Sequence, residues 1–194
     1  MKNQSITEAM LQFIEESPTA FHAAANVEAL LLENGFEKLE NLAEGALVPG
    51  GSYYTMQNGS AVLAVKIPEN PTKGFRIAAS HSDSPCFKIK EVPEMKVENT
   101  YVKLNVEKYG GMILSPWLDR PLSVAGRVFV AGKDGKPEAK LVNLKKDLLI
   151  IPNVAIHFNR EINNGFTYNP QTDMAPLMGL DQELSIKKLC AEAA

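Results

Sequence analysis

Apolar side chains in the first part of the chain recur at helical spacing. Between residues 6 and 14 they lie three or four positions apart, and Pro18 follows the end of this pattern. A second pattern covers residues 21–31, with Thr19 before it as an N-cap and Asn34-Gly35 after it as a stop. The spacing predicts two consecutive helices.

Strand patterns follow these helices. Residues 52–56 and 60–67 flank Gln57-Asn58-Gly59, which predicts a hairpin. The run 61–65 is wholly apolar, which is typical of a strand covered on both faces. Residues 74–80 predict another buried strand. Helices combined with buried strands indicate an α/β domain.

The pattern changes after about residue 93. Val102, Leu104 and Val106 alternate with polar residues, as in a strand with one wet face. The remaining predictions are strands at 122–131, 139–142 and 149–151, turns at 134–135 and 163–165, and a helix within 181–194. We therefore expect the start of an α/β domain followed by a mostly β module, with a boundary near residues 91–99.

Composition excludes several classes of protein. The 194 residues carry a net charge of −3, which argues against a nucleic-acid partner. No apolar run is long enough to span a membrane, and the N-terminus lacks a signal-peptide pattern. The cysteines, Cys86 and Cys190, have no metal-binding or redox spacing, so a reducing compartment is expected. We expect a cytoplasmic protein with neither nucleic-acid nor membrane partners.

His81 is the histidine most suggestive of chemistry. It follows the apolar run 74–80, at the end of the strand where open α/β sheets bind ligands. Asp83 points to the same side in extended backbone, and a carboxylate beside an imidazole orients it toward a metal. His-x-Asp also occurs by chance, so a purely structural pair is the alternative.

The other two histidines have simpler interpretations. His22 lies inside the second predicted helix, which favours a structural role. His157 is expected on a strand or at a strand end, and the residues alone favour a hydrogen-bonded structural role. Cys86 has no feature that would lower its thiol pKa, so a small buried side chain is the expectation.

Five segments, taken in order along the chain, resemble the aspartyl aminopeptidase family of zinc metallopeptidases, which remove N-terminal acidic residues. The segments are SPTAFHA at 17–23, ASHSDSP at 79–85, YGG at 109–111, WLDRPLSVAGRV at 117–128 and IPNVAIHFNRE at 151–161. Because the matches are ordered and cover most of the chain, the resemblance is specific.

The resemblance implies an architecture and a site. Residues 1–92 would be the N-terminal part of an α/β zinc-peptidase catalytic domain, and 93–194 an incomplete β-rich dimerisation domain. His81 would be a ligand in a site for two divalent ions, zinc or alternatively cobalt or manganese. Asp83 would be its orienting carboxylate. His157 would act catalytically by reaching the active site of the neighbouring subunit in a homo-oligomer.

The implied reaction is hydrolysis of peptides with an N-terminal Asp or Glu by a metal-activated water. In the family the remaining metal ligands and the general base lie further along the chain than residue 194. We therefore expect this chain to be a truncated form that is inactive by itself. The alternative is a non-catalytic dimerisation or regulatory module.

Overall fold

A computed structural model describes residues 5–40, 47–70, 74–181 and 183–194. The chain divides into two compact units, Met1–Ser84 and Pro85–Ala194. Within the described residues, the first unit contains two helices and one sheet, and the second contains two sheets, a short α-helix and a 3-10 turn at Ser115–Trp117. The fold is therefore mixed α/β, as predicted.

Both N-terminal helices form where the spacing predicts them. Helix α1 spans Ile6–Glu15, and helix α2 spans Ala20–Glu33. Ser5 and Glu8 form a reciprocal capping box at the start of α1, with bonds of 3.2 and 2.8 Å. The Thr19 hydroxyl accepts the backbone N–H of His22 and caps α2.

The sheet of the first unit has the order β1-β2-β3. Strand β1 (Glu37–Lys38) runs parallel to β2 (Ser52–Gln57), which pairs antiparallel with β3 (Ala61–Lys66). Asn58 and Gly59 connect β2 to β3 with φ angles of +53° and +66°. Two consecutive positive φ angles give the turn that matches strand twist, so the predicted hairpin is confirmed.

Two expectations for the first unit are wrong. Strand β3 is not covered on both faces, because its Leu63 is 59% exposed. Residues 75–80 form no strand, and Phe75 and Ile77 are 93% and 87% exposed. An apolar run indicates that burial is favourable, but a strand also needs a neighbouring strand to receive its backbone hydrogen bonds.

The second unit is built mainly from antiparallel strands. They are β4 (Cys86–Val97), β5 (Tyr101–Tyr109), β6 (Ala125–Ala131), β7 (Pro137–Asn143) and β8 (Leu177–Gly179). One sheet has the order β4-β5-β8, and β6 pairs with β7 in a hairpin. Gly135, with φ +71°, lies in the turn of this hairpin, where the sequence predicts one.

The core of the second unit lies on one face of β5. Leu104 and Val106 cluster there with Leu149 and with Ile186 of helix α3 (Ile186–Glu192). The alternation predicted for this strand is confirmed, since Val102, Leu104 and Val106 are buried. Residues 149–151 form isolated bridges rather than the predicted strand.

Strand β4 was not expected from the sequence. It covers residues 91–97 of the predicted boundary region at 91–99. Its pairing with β5 shifts register between Ile89 and Glu94, a stretch that contains Pro93. The two compact units divide between Ser84 and Pro85. The catalytic and dimerisation roles expected for 1–92 and 93–194 stay predictions. Among the described residues, no helix is long and apolar enough to cross a membrane.

Candidate metal centre

His81 and Asp83 form a hydrogen-bonded pair in the segment without helix or strand that ends the first unit. Nδ1 of His81 lies 2.9 Å from Oδ1 of Asp83, and the His81 side chain is 91% exposed. A carboxylate at Nδ1 favours the tautomer that carries its hydrogen there. The Nε2 lone pair is then available to a metal ion.

Ser82 connects this pair to the sheet. Its hydroxyl donates to the backbone carbonyl of Ser60 at 2.7 Å, just before β3 begins. The contact joins the His81–Asp83 segment to the β2–β3 hairpin. The contact is not predictable from the sequence, since nothing near Ser82 in the chain indicates that its hydroxyl bonds to Ser60.

Within the part of the chain that the structure describes, the donors near His81 do not amount to a complete metal site. Among residues 5–40, 47–70, 74–181 and 183–194, no group of three or more His, Cys, Asp or Glu side chains could hold a metal ion. Metal sites in proteins ordinarily need at least three protein ligands. The expected roles of His81 as a metal ligand and of Asp83 as its orienting carboxylate therefore stay predictions.

His157 belongs to the second unit and lies in a turn over residues 156–158. The expected strand or strand end is wrong at this position. The bridges of this region end at Ile151, and Pro152 has no N–H with which to extend the antiparallel Ile150–Leu177 bridge. His157 is exposed, and the N–H of Phe158 donates to the carbonyl of Ala155 at 2.8 Å across the turn.

The remaining histidine is part of a helix cap. Nδ1 of His22 lies 2.8 Å from Oγ1 of Thr19, the N-cap residue of α2. This contact agrees with the structural role expected for His22. The structure thus brings His81 and Asp83 together, and it places His157 in the other unit.

A partly buried polar cluster connects three elements of the first unit. Oε1 of Glu28 accepts bonds from Nζ of Lys38 at 2.6 Å and from the Tyr54 hydroxyl at 3.0 Å. The bond from Lys38 lowers the pKa of Glu28, and the bond from Tyr54 adds to the effect. Burial raises the pKa of Tyr54. The cluster links α2 to β1 and β2.

The fold is shared with solved aminopeptidase structures. A cryo-EM structure of the Ape4 and Nbr1 complex superposes with a TM-score of 0.82 at 37% identity, covering 91% of this chain and 34% of that chain. The structure of Chaetomium thermophilum mApe1 gives a TM-score of 0.79 at 34% identity, covering 91% of this chain and 40% of that one.

The sequence profile of the family described as aminopeptidase I zinc metalloprotease (M18) matches residues 13–192. The chain belongs to the M18 peptidase family. A probable M18 family aminopeptidase 2 from Clostridium acetobutylicum is 47% identical over 184 residues, which make up 93% of this chain and 42% of that relative. The chain therefore spans less than half the length of this relative.

Proposed function

We propose that this chain is part of a metallo-aminopeptidase that resembles aspartyl aminopeptidase and hydrolyses N-terminal acidic residues from peptides. The observation that carries the proposal is the His81–Asp83 pair, joined at 2.9 Å in a chain of the M18 family. Zinc is the metal named in the family description. When bound, zinc would activate a water and polarise the scissile carbonyl.

In this proposal His81 binds zinc through Nε2, and Asp83 holds the imidazole in the ligating tautomer. Asp83 is well placed for this task because its carboxylate contacts Nδ1 and its side chain is only one-third exposed. The other ligands and the general base come from outside the residues that the structure describes. Two ions would then share the complete site, with cobalt or manganese as alternatives to zinc.

His157 would serve a different subunit of a homo-oligomer. Its turn is exposed, and so are the flanking apolar side chains of Ile156 and Phe158. An exposed imidazole among apolar side chains suits a surface that a second copy of the chain covers. We propose that His157 contacts substrate there, and that the protein works in the cytoplasm.

Activity is testable in a chimera. This chain would replace the matching part of the Clostridium acetobutylicum relative, which supplies the remainder of the length. With zinc, we expect the chimera to release 4-nitroaniline from aspartyl and glutamyl 4-nitroanilides and much less from the leucyl compound. The 194-residue chain alone should release none.

Variants of the chimera test the proposed roles of His81 and His157. His81→Ala should lower kcat/KM by more than about 100-fold, because even the loss of a ligand's supporting carboxylate costs 10- to 100-fold. His157→Ala should lower kcat/KM as well, and His22→Ala is the matched histidine control. Full activity of His81→Ala, at unchanged thermal stability, would remove His81 as a ligand.

The second candidate is a non-catalytic dimerisation or regulatory module. It is favoured by the lack of a complete set of metal ligands among the described residues. Zinc content separates the two functions. A module of this kind has no need of His81, so the chimera and its His81→Ala variant would hold equal zinc after dialysis, whereas a metallo-aminopeptidase would lose zinc with His81.

A further inference from the structure

Asp119 has a backbone conformation that is uncommon for a residue other than glycine. Its φ is +56°, in the left-handed region, which aspartate tolerates better than most residues. The preceding Leu118 forms a parallel bridge with Ile151, and the N–H of Asp119 donates to the Ile151 carbonyl at 2.9 Å. Because Ile151 is fully buried, Asp119 is connected to the core of the second unit.

The carboxylate of Asp119 continues this ladder. In a regular parallel pair, the next bond would run from the N–H of Asn153 to the backbone carbonyl of Asp119. Here Oδ1 of Asp119 accepts the Asn153 N–H at 2.9 Å. The Asp119 side chain thus accepts the hydrogen bond that the Asp119 backbone carbonyl would accept in a regular ladder. This replacement occurs at the residue whose backbone is left-handed. A bond to a charged acceptor is stronger than one to a neutral carbonyl.

Asn153 begins the segment that carries His157. Within this segment, the N–H of Val154 donates to Oδ1 of Asn153 at 2.9 Å, and the N–H of Phe158 donates to the Ala155 carbonyl. Both bonds lie within the segment. Val154 and Phe158 are 55% and 84% exposed, so packing within this chain does little to hold it. The bond from Asn153 to Asp119 joins the segment to a different part of the unit.

We propose that Asp119 is a positioning residue that sets the place of His157 by holding the backbone of Asn153. The functional meaning of this inference rests on the proposed role of His157 at an active site. Asp119 itself contacts neither substrate nor metal in this proposal. Its left-handed backbone and its carboxylate act together, because the turn in the chain brings the side-chain oxygen to the Asn153 N–H.

Three variants of the full 194-residue chain separate these contributions. Asp119→Gly removes the acceptor and keeps the left-handed backbone accessible. Asp119→Asn keeps an oxygen acceptor of the same shape and tolerates positive φ. Asp147→Asn, at an exposed aspartate of the same unit, is the charge control. Nuclear magnetic resonance reads out amide hydrogen exchange at Asn153 and the imidazole signals of His157.

We expect Asp119→Gly to speed exchange of the Asn153 amide about tenfold or more. The His157 imidazole signals should move toward those of an unstructured peptide. Exchange at buried Val142 and the Tm should stay at the wild-type values. Asp119→Asn should restore most of the protection, and Asp147→Asn should match wild type. Unchanged Asn153 exchange and His157 signals in Asp119→Gly would overturn the proposal. Equal acceleration at Asn153 and Val142 would also overturn it, because Asp119 would then be a general stability residue.

The readout is independent of catalysis. If His157 has no part in the reaction, His157→Ala leaves the activity of the chimera unchanged while the exchange results for Asp119 still hold. If Asp119 does not position His157, Asp119→Gly leaves Asn153 exchange and the His157 signals unchanged, whatever the activity of the chimera. The two failures are therefore distinguishable.

Discussion

The bond between Asp83 and His81 couples the orientation of an exposed imidazole to one carboxylate. The His81 side chain is exposed, so packing does not select its rotamer. The orientation needed for metal binding therefore depends on Nδ1 and its acceptor. Asp83 should matter to zinc affinity even though it binds no metal in the proposed site.

We predict that Asp83→Ala weakens zinc binding by the chimera by about 10- to 100-fold, because the imidazole loses its orienting acceptor. Equilibrium dialysis against zinc buffers measures the affinity. Asp147→Ala, which changes the same charge at an exposed position, is the control. Equal affinity in Asp83→Ala and wild type would show that the pair is incidental.

Glu28 should make the stability of the first unit sensitive to acid. Its pKa lies below the ordinary value of 4.5 because it accepts bonds from Lys38 and Tyr54. A lowered folded-state pKa means that the stabilisation is complete above the ordinary value and is lost as pH falls through the folded-state pKa. Glutamine at this position cannot titrate.

We predict that Glu28→Gln lowers the free energy of unfolding at pH 7 by about 1 kcal/mol and that the loss shrinks at pH 3. Urea unfolding followed by far-UV circular dichroism at both pH values measures it. Glu33→Gln, at an exposed position of the same helix, should behave like wild type. A constant loss at the two pH values would contradict the assignment to the charged carboxylate.

Among the elements, helix α3 depends on a distant strand for its start. Oε1 of Glu94 in β4 accepts the Ile186 N–H at 2.8 Å and the Ser185 hydroxyl at 3.0 Å. The Ser185 hydroxyl in turn accepts the Lys188 N–H. The Glu94 carboxylate therefore caps the first turn of α3 and connects this turn to β4. Its negative charge also interacts favourably with the dipole at the helix N-terminus.

We predict that Glu94→Ala lowers the free energy of unfolding of the second unit by about 1–3 kcal/mol, because the Ile186 N–H loses its acceptor. Urea unfolding followed by Trp117 fluorescence reports on this unit, since the Trp117 ring packs edge-on against Phe87. Glu91→Ala, at an exposed glutamate of β4, should change little. A loss of equal size in both variants would contradict the capping role.

The elements that the sequence predicts well are those whose signals are local. The predicted Thr19 cap of α2 acts within one turn, and the hairpin after β2 depends on two adjacent residues, Asn58 and Gly59. The predicted strand at residues 74–80 and the predicted burial of both faces of β3 are wrong. Both depend on contacts with segments that are distant in the sequence. Strand pairing is decided by which segments meet, and hydrophobicity reports only that burial is favourable.

At the scale of the whole molecule, residues 74–84 end the first unit without forming a helix or a strand. Phe75, at the start of this segment, is among the most exposed apolar side chains of the described chain. A protease needs an accessible segment that can adopt an extended conformation in its active site. This segment meets that requirement.

We predict that brief chymotrypsin treatment cleaves after Phe75, yielding fragments 1–75 and 76–194. Mass spectrometry of a time course identifies the products. Phe75→Ser should suppress this pair of fragments without slowing other cuts. A time course in which cleavage after the buried Tyr54 precedes cleavage after Phe75 would contradict the exposure of Phe75.

The ordered motifs determined the family, and the His-x-Asp spacing singled out His81 and Asp83, because these signals are carried by neighbouring residues. The role of Asp119 could not be predicted, since its partners Ile151 and Asn153 lie far along the chain. Only the tertiary structure decided that the Asp119 carboxylate accepts the Asn153 N–H in place of a backbone carbonyl. It also decided that residues 75–80 form no strand. The physical reason is the same in both cases: a hydrogen bond between distant segments depends on their placement in space, which local residue patterns do not encode.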